Sequence, residues 1–113
     1  MTINSTKPDL ADEVTPPARA QADAWQDNNG QSYRVIYGTS PQIIDRPDVI
    51  LFPTAVQLGD GTVDNGDKVE PPVVYIDVKE ERGLTAVQAR ALATALVHSA
   101  AELDRWERFV PGD

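Results

Sequence analysis

The clearest hydrophobic pattern in the chain is a helical one near its C-terminus. Between residues 84 and 109, apolar side chains recur every three or four positions, which is typical of an α-helix with one buried face. Thr85 and Gln88 form a T-x-x-Q capping box that predicts the helix start, and Pro111 and Gly112 predict its end. The stripe that we expect to face the core contains Ala89, Leu92, Leu96, Ala100, Leu103 and Trp106.

The segments before this helix have the alternating or continuous apolar patterns of β-strands. Asn29-Gly30 predicts a hairpin, because a type I′ turn requires positive φ at both central residues. In the strand after it, Tyr33, Val35 and Tyr37 share one face, whereas Arg34 and Ile36 share the other. The predicted strands are residues 32–37, 49–52 (between Pro47 and Pro53), 55–58 paired with 62–63 around a Gly-Asp-Gly turn, and 73–78.

The N-terminal part of the chain has a different composition from the rest. Residues 1–17 mix Ser, Thr, Pro and acidic residues, which predicts a flexible arm, and residues 18–113 then form a single domain. Thr15-Pro16-Pro17 favours a short helix over residues 18–25. Because a sheet with one apolar face needs a cover, we predict a two-layer α+β fold. It consists of an antiparallel β-meander of about four strands and one long C-terminal helix.

The charge balance argues against nucleic acid as a direct partner. The net charge is -8, and the most acidic stretch, residues 60–84, contains three basic and seven acidic residues. Nucleic-acid binding depends on cationic contacts with phosphates, which a chain without a basic stretch does not supply.

Several cofactor and compartment classes are excluded by composition. The chain has no cysteine, so disulfides, thiol catalysis and thiolate-bound metals are absent. Its first residues have no apolar region of the signal-peptide type, and no apolar run reaches the roughly 18–20 residues that span a bilayer. We therefore expect a cytoplasmic protein that does not insert into membranes.

No catalytic, cofactor or metal site is predicted. His98 is the only histidine; its neighbour Ser99 points about 100° away on a helix, and Glu102 lies where it can form a surface pair with His98. The acidic loop from Asp60 fails the calcium-loop template, because Asn65 replaces the required glycine and Pro71 the required glutamate. Glycine-rich phosphate loops are also missing.

The C-terminal helix resembles one found in small uncharacterised proteins of actinobacteria and their phages, in particular mycobacteria and mycobacteriophages. Those proteins share a Leu-Thr start, an Ala-Arg-x-Leu-Ala core and an Ala-Ala-x-x-x-Asp end. The matching residues here are Leu84, Thr85, Ala89, Arg90, Leu92, Ala93, Ala100, Ala101 and Asp104. The resemblance covers about a quarter of the chain and implies an origin, but no activity.

Three functional hypotheses follow from these features. The first is a non-enzymatic interaction module, such as a phage or prophage accessory factor, that binds another protein or itself. The second is a ligand binder or enzyme with a site between sheet and helix, lined by Tyr33, Tyr37 and Tyr75. The third is an acidic modulator of a nucleic-acid-binding protein, with Asp60, Asp64 and Asp67 imitating phosphates. The interaction surface expected for the first is Trp25, Val87, Arg90, Ala91, Val97, His98 and Ala101.

Overall fold

The computed structural model describes residues 14–111, which form an antiparallel sheet followed by one long helix. In chain order, the elements are β1 (Gln21–Ala22), β2 (Gln26–Asn28), β3 (Gln31–Tyr37), β4 (Val49–Leu58), β5 (Val73–Val78) and α1 (Ala86–Glu107). The predicted α+β class, with an antiparallel sheet and a single C-terminal helix, is confirmed. Within the described residues the sheet has five strands, of which β1 and β2 are very short.

The strand order places β4 at the centre of the sheet and β5 at an edge. The order is β1-β3-β4-β5, and β2 also pairs with β3. All pairings are antiparallel; Val35 lies opposite Val56, and Phe52 lies opposite Tyr75. Within residues 14–111, β5 therefore has a strand neighbour on one side only.

The N-terminal hairpin forms as predicted, but the short helix before it does not. Asn29 and Gly30 connect β2 to β3 with φ values of 51° and 88°. The expected helix over residues 18–25 is replaced by a turn, in which Arg19 has φ of 70°, followed by β1 and β2. Pairing with β3 satisfies the backbone of this segment, whereas a helix of eight residues is marginal in water.

The predicted strand 49–52 continues through Pro53 to Leu58 and becomes the central strand. Proline is tolerated here because of the direction in which its backbone points. The Pro53 carbonyl accepts a hydrogen bond from Gly38 N (2.9 Å), so its nitrogen also faces the β3 side, just beyond the end of β3. The missing N–H therefore affects the end of one ladder and leaves the β4–β5 ladder complete. After the turn, Val63 forms only an isolated bridge to Gln57.

The helix begins as predicted, but its buried face is rotated relative to the predicted stripe. Thr85 and Gln88 form the predicted capping box. Leu92, Leu103 and Trp106 face the sheet as expected, whereas Ala89, Leu96 and Ala100 are exposed. Ala95 and Ser99 occupy the middle of the buried stripe instead. Small side chains at these positions allow the helix to lie close to the sheet, which the larger Leu96 would prevent.

The described end of the N-terminal segment is bonded to the sheet. Arg34 Nη2 donates to the Val14 carbonyl (2.9 Å), and Gln57 Nε2 donates to the Thr15 carbonyl (2.8 Å). Arg34 Nε also donates to Gln57 Oε1 (2.9 Å) in the interior. The rest of the predicted flexible arm, residues 1–13, lies outside the described residues.

Candidate functional site

The two faces of the sheet have different surroundings. Ile36 and Ala55 pack against Leu103 and Trp106, and Leu51 packs with Ala95, so these sheet residues face the helix. Because strand side chains alternate between faces, their neighbours point to the opposite face. That opposite face has no helix over it in the described part of the chain, and we call it the open face.

Three aromatic side chains form a row across the open face. Tyr37, Phe52 and Tyr75 come from β3, β4 and β5 in turn. The Tyr37 and Phe52 ring centroids are 6.3 Å apart in an edge-to-face arrangement, and those of Phe52 and Tyr75 are 5.2 Å apart. The antiparallel register causes this proximity, since Phe52 lies directly opposite Tyr75 and diagonal to Tyr37.

The aromatic row forms the floor of a wide groove with a volume of about 760 Å³, which we call the aromatic groove. Apolar side chains from the three long strands line its floor, and polar side chains from β1 and the segment after β3 line one end. The lining residues are Gln21, Asp23, Val35, Tyr37, Gly38, Thr39, Ser40, Ile50, Phe52, Thr54 and Tyr75. Tyr75 remains 47% exposed, so this ring is available to a ligand.

The surroundings of the aromatic groove are acidic. Asp23 lines it directly, and Asp77 lies opposite Ile50 in the β4–β5 register and so shares the open face. A smaller cavity of about 220 Å³ shares Tyr75 with the groove and is lined by Glu70. The nearby cation Lys79 donates to Asp77 Oδ2 (2.9 Å) on the surface. A ligand in the groove would therefore meet apolar rings with the Asp23 carboxylate in the lining, Glu70 in the adjoining cavity and Asp77 paired with Lys79 nearby.

The predicted interaction surface is only partly assembled. Val87, Arg90, Val97 and His98 are exposed on α1. Ala91 lies elsewhere than predicted, because it packs against the core cluster that contains Ile43, Val49, Leu51 and Ala95. Ala101 is half-buried. Trp25 is far along the chain from this helix and half-buried, with the Arg34 guanidinium 4.5 Å above its ring. It therefore serves the packing of Arg34.

His98 does not acquire the partners of a catalytic histidine. It lines a crevice of about 200 Å³ that also contains Arg19, Ser99 and Glu102. Ser99 is buried, and the Glu102 carboxylate, which the sequence places within reach of His98, accepts a hydrogen bond from Arg105. The crevice offers a lone imidazole without an activated nucleophile.

Two carboxylates of the acidic loop between β4 and β5 accept hydrogen bonds from within the loop: Asp60 accepts from Thr62 at the surface, and Asp64 is the buried one. Asp64 is buried and accepts hydrogen bonds from the backbone amides of Lys68, Val69 and Glu70, at 3.2, 2.7 and 3.0 Å. Burial alone would raise the pKa of Asp64. The combined hydrogen bonds from these amides have the larger effect and hold the pKa below its usual value. Within residues 14–111, no cluster of His, Asp and Glu has the arrangement of a metal site.

Comparisons with known proteins assign no function to this site. No protein-family model matches the chain, and no curated protein or solved structure is significantly similar to it. Among the described residues, no helix has the length and apolar character needed to cross a membrane.

Sequence patterns identified part of the aromatic groove. Tyr37 and Tyr75 were candidate ligand contacts, but the expected site lay between sheet and helix, and both rings lie on the opposite face. Tyr33 is also on β3, yet it bonds to Gln26 Oε1 (3.1 Å) and does not line the groove. The continuous apolar run at residues 49–52 indicates a strand that is covered on both faces or lies at a sheet edge, so it does not predict that Ile50 and Phe52 line an open groove.

Proposed function

We propose that this protein is a non-enzymatic cytoplasmic module that binds another protein through the aromatic groove. The partner segment that suits the groove carries a large apolar side chain flanked by Lys or Arg. The observation that supports this proposal most directly is the row of Tyr37, Phe52 and Tyr75 across an uncovered sheet face. Aromatic residues are enriched at binding surfaces because they bury a large area with few rotatable bonds.

The negative charge around the groove favours a basic polypeptide segment over a nucleic acid as the partner. Aromatic rows on sheets also stack nucleic-acid bases, but phosphates would approach Asp23, Glu70 and Asp77 on a chain with net charge -8. A basic segment is attracted by the same carboxylates, which raises its association rate. Such a role also suits a phage or prophage accessory factor that binds another protein.

A small apolar ligand is the second candidate for this groove. Its volume of about 760 Å³ lies within the roughly 300–1,000 Å³ that is typical of small-molecule sites. The groove is a wide opening on the sheet surface, however, which favours a polypeptide segment over a ligand that must be enclosed. The third candidate, phosphate imitation by acidic loop residues, is weakened because Asp64 is buried and bonded to its own loop.

The test uses a fluorescein-labelled peptide with a central Trp flanked by Lys and Arg, and fluorescence anisotropy as the measurement. We expect the full-length protein to bind it, and a peptide with Glu at the flanking positions not to bind. Tyr75→Ser should weaken binding at least about tenfold, since an aromatic anchor commonly contributes more than 1.4 kcal/mol. Ile44→Ser is the matched control, because Ile44 is exposed and lies outside the groove.

Equal binding of the basic and acidic peptides, unaffected by Tyr75→Ser, would refute the proposal. The neutral dye Nile red tests the second candidate in parallel. Dye fluorescence that depends on Tyr75, without peptide binding, would favour a small-molecule site.

A further inference from the structure

The edge strand β5 is apolar on both faces. Val73, Tyr75, Ile76 and Val78 are each 45–47% exposed, and only Asp77 is charged within the strand. Among the described residues, β4 is its sole strand neighbour. An uncovered apolar edge with free backbone groups is a template for another strand, and proteins commonly protect such edges with charge, proline or a covering element. Within residues 14–111, none of these protects the middle of β5.

The helix also exposes an apolar flank on the same side of the molecule. Leu96 is 36% exposed, and the small residues Ala89, Ala93 and Ala100 lie exposed beside it at helical spacing. Leu92, one turn before Leu96, packs against the same core cluster as Val74 of β5. The other flank of the helix, at His98, faces Arg19 and Pro41. The Leu96 flank therefore lies above the β5 edge.

We propose that a second copy of this chain pairs with β5 in antiparallel register, with a two-fold axis through Ile76. Directly opposite residues in an antiparallel pair point to the same face of the sheet. In a two-fold symmetric pair, one residue must therefore lie opposite the same residue of the second copy, and the axis passes between these two residues. At Ile76, Val74 lies opposite Val78 of the second copy and Tyr75 opposite its Asp77. An axis at Asp77 would oppose two carboxylates, and an axis at Tyr75 would place Pro72, which has no N–H, in the ladder.

The same two-fold rotation brings the Leu96 flanks of the two helices against each other. The axis lies half a strand spacing from β5, and α1 packs over β4 and β5. For a helix midway between β4 and β5, with strands about 4.8 Å apart, the two helix axes are separated by roughly 10 Å. Packed helices are typically about 8–10 Å apart, and alanines at the contact permit the closer distances. One two-fold axis therefore buries both the β5 edge and the Leu96 flank, which favours a second copy over an unrelated strand.

Electrostatics gives this dimer a distinct salt dependence. Each copy carries a net charge of -8, so the copies repel one another at long range. The contact itself consists of apolar side chains and backbone hydrogen bonds. Added salt screens the repulsion and should strengthen the dimer. Peptide binding in the aromatic groove should weaken under the same change, so the two proposals can fail independently.

The absence of cysteine makes a crosslinking test clean, since any disulfide arises from the introduced residue. Directly opposed strand residues have Cα atoms about 4.5–5.5 Å apart, a distance that a disulfide spans. We expect Ile76→Cys to form a covalent dimer under mild oxidation. Val73→Cys is the matched control on the same strand; its two copies would lie about 20 Å apart and should not crosslink.

Sedimentation of the unmodified full-length chain completes the test. We expect a concentration-dependent dimer that tightens with salt, and a monomer with unchanged far-UV circular dichroism for Ile76→Lys. A monomer at every concentration overturns the proposal and leaves the edge for a strand of a different protein. Equal crosslinking of Val73→Cys and Ile76→Cys, or an Ile76→Lys variant that still dimerises, overturns it as well.

Discussion

Arg46 and Asp48 form a bidentate ion pair that connects the start of β4 to the segment leading into the helix. Arg46 Nε and Nη2 donate to the two Asp48 carboxylate oxygens, at 2.9 and 3.1 Å. Arg46 Nη1 donates to the Gly83 carbonyl (2.9 Å), and Asp48 accepts from Glu80 N (3.1 Å). Because the Arg46 side chain has no exposed surface, this pair fixes two distant segments at one buried point.

The Arg46–Asp48 pair predicts a loss of stability in acid. The hydrogen bonds from Arg46 hold the Asp48 pKa well below its usual value, and the Asp64 pKa is lowered too. A carboxyl whose pKa is lower in the folded state stabilises the fold above its unfolded pKa, near 4. That contribution is lost as the pH falls through the folded pKa. Melting temperatures should therefore be steady from about pH 5 to 8 and decrease progressively below about pH 4.

Asp48→Asn and Asp45→Asn separate this pair from general acid effects. Asp48→Asn should lower the melting temperature at neutral pH, because Arg46 then lacks its counter-ion, and should flatten the decrease in acid. Asp45 is exposed, so Asp45→Asn should retain the acid dependence of the parent. An unchanged acid profile in Asp48→Asn would contradict the assignment.

The rotation of the helix predicts opposite outcomes for two leucines. Leu103 is buried against Ile36 and Trp106, so Leu103→Ala should lower the free energy of unfolding by about 2–5 kcal/mol. Leu96 is 36% exposed, and Leu96→Ala in dilute solution should lower it by no more than about 1 kcal/mol. Urea denaturation followed by circular dichroism measures both. Equal losses of the free energy of unfolding would mean that both leucines are buried, as the predicted stripe has them.

The capping box predicts a cost for losing the Thr85 hydroxyl. Thr85 Oγ1 accepts from Gln88 N (3.2 Å), and Gln88 Oε1 accepts from Thr85 N (3.0 Å). Thr85→Ala should reduce the free energy of unfolding by about 0.5–2 kcal/mol, because a helix N–H loses its partner. Thr94→Ala is the control within the helix and should be neutral or slightly stabilising, as alanine has the higher helix propensity. Chemical denaturation distinguishes the two.

Two glycines with positive φ should differ in their tolerance of alanine. Gly30 has φ of 88° and open space around it, so Gly30→Ala should cost about 1–2 kcal/mol from backbone strain. Gly61 has φ of 94°, and an added Cβ would lie 2.7 Å from the Pro111 side chain. Gly61→Ala should therefore lower the melting temperature more than Gly30→Ala. The reverse order would show that the turn near Pro111 can move.

The candidate site was recognised in part from residue types. Tyr37 and Tyr75 stood out as tyrosines on strands, but alternation alone does not tell which face of a sheet stays uncovered. Phe52 was overlooked because the run from Val49 to Phe52 is continuously apolar, a pattern typical of strands buried on both faces. In the described part of the chain, the groove exists because the helix covers only one face of the sheet and because the register brings Phe52 opposite Tyr75.

Local rules in the sequence determined the elements with short-range causes. The capping box at Thr85, the hairpin at Asn29-Gly30 and the alternation in β3 and β5 depend on residues within a few positions of one another. The two-layer class followed from the need to cover one apolar face. Tertiary structure decided the rest. Pro53 lies within the central strand because its nitrogen faces the end of β3, and the helix turns Ala95 and Ser99 inward because small side chains fit closest to the sheet. Both depend on contacts between segments far apart in sequence, which local patterns do not encode.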